Sequence, residues 1–166
     1  MLDEIEGEYT LNTKESSFHL HLSGCKEGLQ ALQRLADQVC AGVCLNAIQI
    51  NRIALALDEL FANIHNHGYA GQGGDIDCSA RWTGHEGKPC LLEITLRDYA
   101  PTIEDIKACK GVDPETLKEH PVAGGLGMHL IYAITESFEH TPLKDGNQWR
   151  LIFNLQKEDK KHEPSY

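Results

Sequence analysis

Apolar side chains recur at helical spacing between residues 50 and 64: Ile50, Ile53, Ala54, Leu57, Leu60, Phe61 and Ile64 follow the i, i+3, i+4, i+7 pattern. This stripe predicts an amphipathic helix, with Asn46 as its candidate N-cap and the glycine-rich run 68–74 as its stop. An earlier stripe, Leu29, Leu32, Leu35, Ala36 and Val39, predicts a helix from Lys26 to about Ala41, ended or interrupted by Gly42. The period changes to two before it. Phe18, Leu20 and Leu22 alternate with His19 and His21, which predicts a strand with both histidines on its solvent face. IDCSARW (76–82) and CLLEITLRD (90–98), joined by TGHEGKP, predict an antiparallel hairpin. Residues 99–123 have only weak periodicity and read as a mobile lid with short helical pieces. GlyGlyLeuGly at 124–127 then leads into a helix, MHLIYAITESF, and a hairpin of roughly 137–142 with 148–155 closes the chain.

The order is strand, two helices, two strands, irregular segment, helix, two strands. The economical arrangement is an α/β (α+β) two-layer sandwich, with a mixed, mainly antiparallel sheet and helices on one face. Residues 1–156 form a single domain, and 157–166 form a polar C-terminal tail.

Composition narrows the function. The 166 residues are 41% hydrophobic and 24% charged, as expected of a soluble globular domain. A formal charge of −10 disfavours nucleic acid and anionic lipid as direct partners, and the densest basic run, KEDKK at 157–161, is mixed in sign. There is no apolar stretch long enough for a membrane span and no secretory leader, so a cytoplasmic location is expected. The cysteines Cys25, Cys40, Cys44, Cys78, Cys90 and Cys109 show no CxxC spacing, and they read as packed, reduced thiols.

The candidate chemistry lies in DELFANIHNHGY, residues 58–69. Glu59, Asn63 and His67 are four apart, each step drifting only about 40° around a helix, so they form one ridge nearly opposite the apolar stripe. Taken alone the ridge reads as a solvated face. Asp98 ends the apolar strand LLEITL before TyrAlaProThr, which alone reads as a turn acid. GGLGM precedes a helix, where backbone N–H groups and the helix N-terminus favour an anion, although glycines there also serve tight packing. The dinucleotide fingerprint GxGxxG fails because position 130 is Leu, and neither a P-loop nor the protein-kinase motifs appear.

In combination these residues resemble the GHKL ATPases, whose Bergerat fold is an α/β sandwich, and most closely the small anti-sigma-factor serine kinases of bacterial partner-switching systems. The likeness spans roughly residues 10–156. It rests on Glu59-x-x-x-Asn63 with His67, Gly68 and Tyr69, on Asp98, and on GGLGMHLI at 124–131, in that order. The resemblance implies ATP and Mg²⁺ as cofactors. It makes Asn63 the Mg²⁺ ligand, with His67 helping to hold phosphate oxygens. Asp98 would accept a hydrogen bond from the adenine amino group. Gly124, Gly125, Leu126 and Gly127 would wrap the phosphates with their backbone, with Met128 packed beside them, and 101–123 would be the ATP lid. Glu59 becomes the general base for a serine hydroxyl on a partner protein. Where the family has Asp-x-Gly the chain has Asp98-Tyr99-Ala100, so Ala100 brings a methyl close to the adenine and disfavours positive φ.

The resemblance therefore implies an ATP-dependent protein serine kinase and anti-sigma factor. It would phosphorylate a small antagonist (anti-anti-sigma) protein, bind a sigma factor and possess an edge strand suited to a homodimer. The alternative is a nucleotide-gated protein-binding switch without kinase activity. A third reading, the catalytic domain of a histidine kinase, is weakened because no helix pair with a phosphoacceptor histidine precedes the first strand.

Overall fold

The computed structural model describes residues 12–22, 30, 34, 45–85, 88–104 and 125–156. The chain runs β1 (Asn12–Leu22), α1 (Ala47–Asn63), β2 (Gly74–His85), β3 (Lys88–Asp98), α2 (Gly125–Ile134), β4 (Ser137–Leu143) and β5 (Gly146–Asn154). Gln30 and Arg34 are helical, and the rest of the helix expected at 26–41 lies outside the described residues, as do 105–124 and the tail 157–166.

Helix α1 begins with a capping box. The Asn46 side chain accepts from Gln49 N at 2.9 Å, and Gln49 Oε1 accepts from Asn46 N at 2.8 Å. Gln49 Nε2 also donates to Leu155 O at 2.8 Å, tying the start of α1 to the end of β5. Ile53, Ala56, Leu57, Leu60, Phe61 and Ile64 are buried, whereas Ile50, expected in the stripe, is exposed at the helix's first turns.

The sheet has the order β1-β2-β3-β5-β4. Among the described residues every pairing is antiparallel, in keeping with the mainly antiparallel sheet expected. Strands β2 and β3 take in most of TGHEGKP, running to His85 and from Lys88, with a register shift between Thr83 and Gly84. The period of two sends Ile76, Cys78, Ala80, Trp82, Leu92, Ile94, Leu96, Trp149, Leu151 and Phe153 into one core with the helices. Burial pushes the Cys78 thiol up to about 12, so this cysteine is an inert core residue.

The other sheet face is polar and laced with charge. Glu93 accepts from Arg81 at 3.5 Å and from Arg150 at 2.7 Å, and Arg150 reaches Glu139 at 3.2 Å. His19 and His21 stand on this face, as expected, opposite Asp77 and Asp75 across the β1–β2 register, with Nδ1 to carboxylate distances of 2.6 and 2.7 Å. The hydrogen bond to Asp77 holds the His19 imidazole above the ordinary histidine range.

Helix α2 is shorter at its end than the sequence pattern predicts. Thr135 returns its hydroxyl and N–H to Ile131 O, and Glu136 N donates to Ile152 O at 2.7 Å, which hands the backbone to the sheet. Phe138, where the expected helix and the expected hairpin overlap, is a strand residue stacked on Trp149 with ring centroids 6.1 Å apart.

Candidate functional site

The site is assembled where the end of α1, the start of α2 and the end of β3 meet. Helix α1 stays α-helical only to Asn63, and Ile64–Gly68 form a π turn closed by Tyr69 N to Ile64 O at 2.8 Å. The continuous α-helical ridge expected through His67 is therefore corrected: Glu59 and Asn63 share the α-helix, while His67 lies on the wider turn and is exposed. Such single π turns are frequent at functional sites. This one sets Gly68 against β3, so that a Cβ added there would stand 3.1 Å from the Ala100 methyl.

Tyr69 fastens the junction. Its hydroxyl donates to Asp75 O at 2.5 Å and accepts from Tyr99 N at 2.8 Å. Its ring covers Gly74, where any Cβ would overlap it. Burial raises the Tyr69 phenol above its ordinary range, so it remains a neutral donor. The turn after it uses Ala70, Gly71 and Gly73, all at positive φ.

At one end of the site, Glu59 and Asn63 are half-buried against the first turn of α2. A Cβ on Gly127 would overlap Glu59 Oε2 and would stand 3.5 Å from Asn63 Nδ2. The ridge thus faces a neighbouring helix terminus rather than open solvent. Asn63 Nδ2 is buried without a hydrogen-bond partner among the described residues, an arrangement that costs about 1–3 kcal/mol when nothing compensates it. The glycine run is not a loop before the helix, as expected; α2 already begins at Gly125, so Gly125, Leu126 and Gly127 form its first turn. The first N–H groups of a helix have no carbonyl partner within it. Gly124 lies outside the described residues. Met128, expected beside the phosphates, is 6% exposed and sits in the hydrophobic core.

At the other end, Asp98 is 1% exposed and points inward from β3. Its Oδ1 accepts from Ala100 N at 3.0 Å and Asn147 Nδ2 at 2.9 Å, and its Oδ2 accepts from Trp149 Nε1 at 2.6 Å. Asn147 also donates to Pro101 O at 3.2 Å, while its Oδ1 lies 2.8 Å from Ile103 N and 3.0 Å from His140 Nε2. Ala100 is buried and is not among the residues with positive φ. Its expected conflict with left-handed backbone is therefore corrected, and its methyl packs against Gly68 instead. Gly146 closes this end: at φ +150 it lies so near Asp98 that a Cβ would overlap the Asp98 carbonyl oxygen.

The structure thus joins Glu59, Asn63 and Gly127 in one contact, and Gly68, Ala100 and Asp98 in another. Asn147, Trp149, Gly146 and the double role of Tyr69 escaped the sequence reading. Counting back by twos from Phe153, Leu151 and Trp149 places Asn147 on the inward face, and an inward amide is a signal that the strand pattern carries.

A family model described as the histidine kinase-like ATPase domain matches residues 23–153, and the chain belongs to that family. Membership implies ATP binding and places the protein in the GHKL superfamily. No curated protein matches the chain. Among solved structures, the histidine kinase domain of the blue-light activated histidine kinase from Erythrobacter litoralis EL346 is similar at 18% identity and a TM-score of 0.42, over 64% of this chain and 44% of that one. The chain thus spans less than half the length of that solved chain. No helix among the described residues is long and apolar enough to cross a membrane.

The residues present suit a magnesium nucleotide at the α1–α2 contact. Asn63, whose Nδ2 has no partner among the described residues, carries an amide oxygen that would serve as a hard ligand; glycine at 127 keeps the contact open, and the first N–H groups of α2, which have no carbonyl partner within the helix, would serve as anion donors.

Proposed function

We propose that the protein is an ATP-dependent protein serine kinase and anti-sigma factor that phosphorylates a serine on a small antagonist protein. The observation that carries this reading is the convergence of Glu59 and the unpartnered Asn63 amide on Gly127 at the head of α2. Asn63 would hold Mg²⁺ through its amide oxygen, and the ion, when bound, neutralises charge on the phosphates. The first turn of α2 donates backbone N–H groups to phosphate oxygens, and His67 on the exposed π turn adds a donor to the same end. Glu59, one helical turn before Asn63, takes the proton from the attacking serine hydroxyl as the oxygen bonds to the γ-phosphorus and ADP leaves. Asp98 marks the base end. The antagonist and the sigma factor dock outside this pocket, and β1, one of the two edge strands of the described sheet, is available for pairing in a homodimer.

Glu59→Gln tests the reading because it keeps shape and removes the base. Transfer of labelled γ-phosphate to candidate antagonist proteins should fall at least about a hundredfold, while ATP binding by calorimetry is retained. Retained transfer would remove Glu59 from the chemistry. ATP binding without transfer from the unsubstituted protein, across antagonists that it binds, would favour the nucleotide-gated switch.

A further inference from the structure

Three groups hold the Asp98 carboxylate, and each is a donor by its chemistry: the Ala100 backbone N–H, the Trp149 indole N–H and the Asn147 amide nitrogen. The orientation of Asn147 is fixed by its other neighbours. The Ile103 N–H can only donate and the Pro101 carbonyl can only accept, so Oδ1 must face Ile103 and Nδ2 must face Pro101 and Asp98. Asn147 is 1% exposed with every hydrogen-bonding direction of its amide occupied, so the side chain cannot swing without abandoning several bonds. Trp149 is equally constrained, its ring lying against Phe138 and His140.

A carboxylate offers about four acceptor directions. Oδ1 has two donors and Oδ2 has one. Among the described residues no donor meets the one acceptor direction that remains, and it belongs to Oδ2.

We propose that Asn147 and Trp149 are the positioning residues of the base end, holding Asp98 so that a single acceptor direction on Oδ2 admits one N–H donor. This rests on the nucleotide-binding reading above and deepens it. A purine bearing an amino group at its sixth position supplies that donor. A purine with a carbonyl there sets oxygen against carboxylate and leaves the acceptor unmatched. The discrimination therefore depends on two β5 residues behind the acid as well as on the acid itself.

The test uses the full chain and two probes, MgATP and MgGTP, with affinities measured by calorimetry. Trp149→Phe keeps an aromatic ring against Phe138 and His140 but deletes the N–H, which frees a second direction on Oδ2 and unfixes the carboxylate. The expected result is a fall of about tenfold in the ATP-over-GTP affinity ratio, with the thermal unfolding transition still cooperative. An unchanged ratio overturns the proposal. In parallel, ¹⁵N labelling resolves the indole N–H signals of Trp82 and Trp149, the chain's two tryptophans. Asp98→Asn should shift the Trp149 signal and leave that of Trp82, whose indole nitrogen is buried without a partner. No shift at Trp149 overturns the linkage without reference to any nucleotide. A wild-type protein that binds ATP and GTP equally overturns this inference and leaves nucleotide binding standing. One that binds neither overturns both the selectivity and the function on which it rests.

Discussion

The two ends of the site differ in how their polar atoms are satisfied. Around Asp98, three donors hold the carboxylate, and Asn147 uses its whole amide to brace the acid against Pro101, Ile103 and His140. Around Asn63 a buried amide nitrogen has no partner, and the Glu59 carboxylate rests against a bare glycine Cα. Burying an unpaired polar group is unfavourable, so a fold that keeps one gains nothing in stability from it. The satisfied end is therefore architecture first, and the unsatisfied end is where the proposed function puts the phosphates and the metal. A substitution at the first should appear chiefly in stability, and one at the second chiefly in function.

Gly146→Ala is the strongest way to break this contrast. The new methyl would meet backbone, the Asp98 carbonyl, at a φ of +150 that side chains rarely adopt. Nothing flexible stands there to yield. A loss of about 3 kcal/mol in urea unfolding is expected; a loss below about 0.5 kcal/mol would mean that the β4–β5 turn is not what holds the acid. Gly127→Ala sharpens the other side. Its methyl also meets an oxygen, but Glu59 Oε2 is the end of a flexible side chain that can move aside. Stability should stay within about 1 kcal/mol of the parent, helped by the better helix propensity of alanine. Phosphoryl transfer should fall about a hundredfold as the carboxylate is displaced. A parallel loss of fold and activity would erase the distinction between the two ends.

The smallest expected effect lies on the open face of the sheet, away from both ends. His19 is held above its ordinary range, first by its hydrogen bond to Asp77. Its contribution is thus complete below about pH 6.5 and is lost as pH rises through the raised value. Asp75 is held low first by His21, and Asp77 first by Tyr99 and then by His19, so their contributions are present above about pH 4 and fade below it. The cluster therefore stabilises most between those limits. Because its members are exposed, the slope should be shallow. Urea midpoints at pH 5.5 and pH 8 should differ slightly in the parent and less in His19→Gln. An equal slope in both would remove this cluster as its source.

Much of this was legible in the sequence for a physical reason. Period-two and period-3.6 patterns report which face is buried, and they located β1, α1, β2, β3 and the final hairpin with small errors at the ends. The errors follow from forces that the pattern does not carry. Phe138 is apolar and in helical phase, but Thr135 makes the last helical bond, to Ile131 O, and Glu136 N already donates to Ile152 O on β5. The spacing of Glu59 and Asn63 was readable, whereas their contact with Gly127, 68 and 64 residues further on, is a meeting of two helices that no local pattern encodes. Asn147 and Trp149 were missed because a hydrogen bond from β5 to an acid on β3 depends on strand order, and order is settled only when the sheet is built.

The π turn at Ile64–Gly68 has a consequence for how the chain can vary. Its width comes from spacing, a ring closed five residues on instead of four. Removing one residue would restore an ordinary helical turn and rotate everything beyond it by about 100°. Gly68 would leave Ala100, and the Tyr69 hydroxyl would leave Asp75 and Tyr99. Descendants of this chain can exchange letters in that stretch far more freely than they can gain or lose one, because what is inherited there is a count.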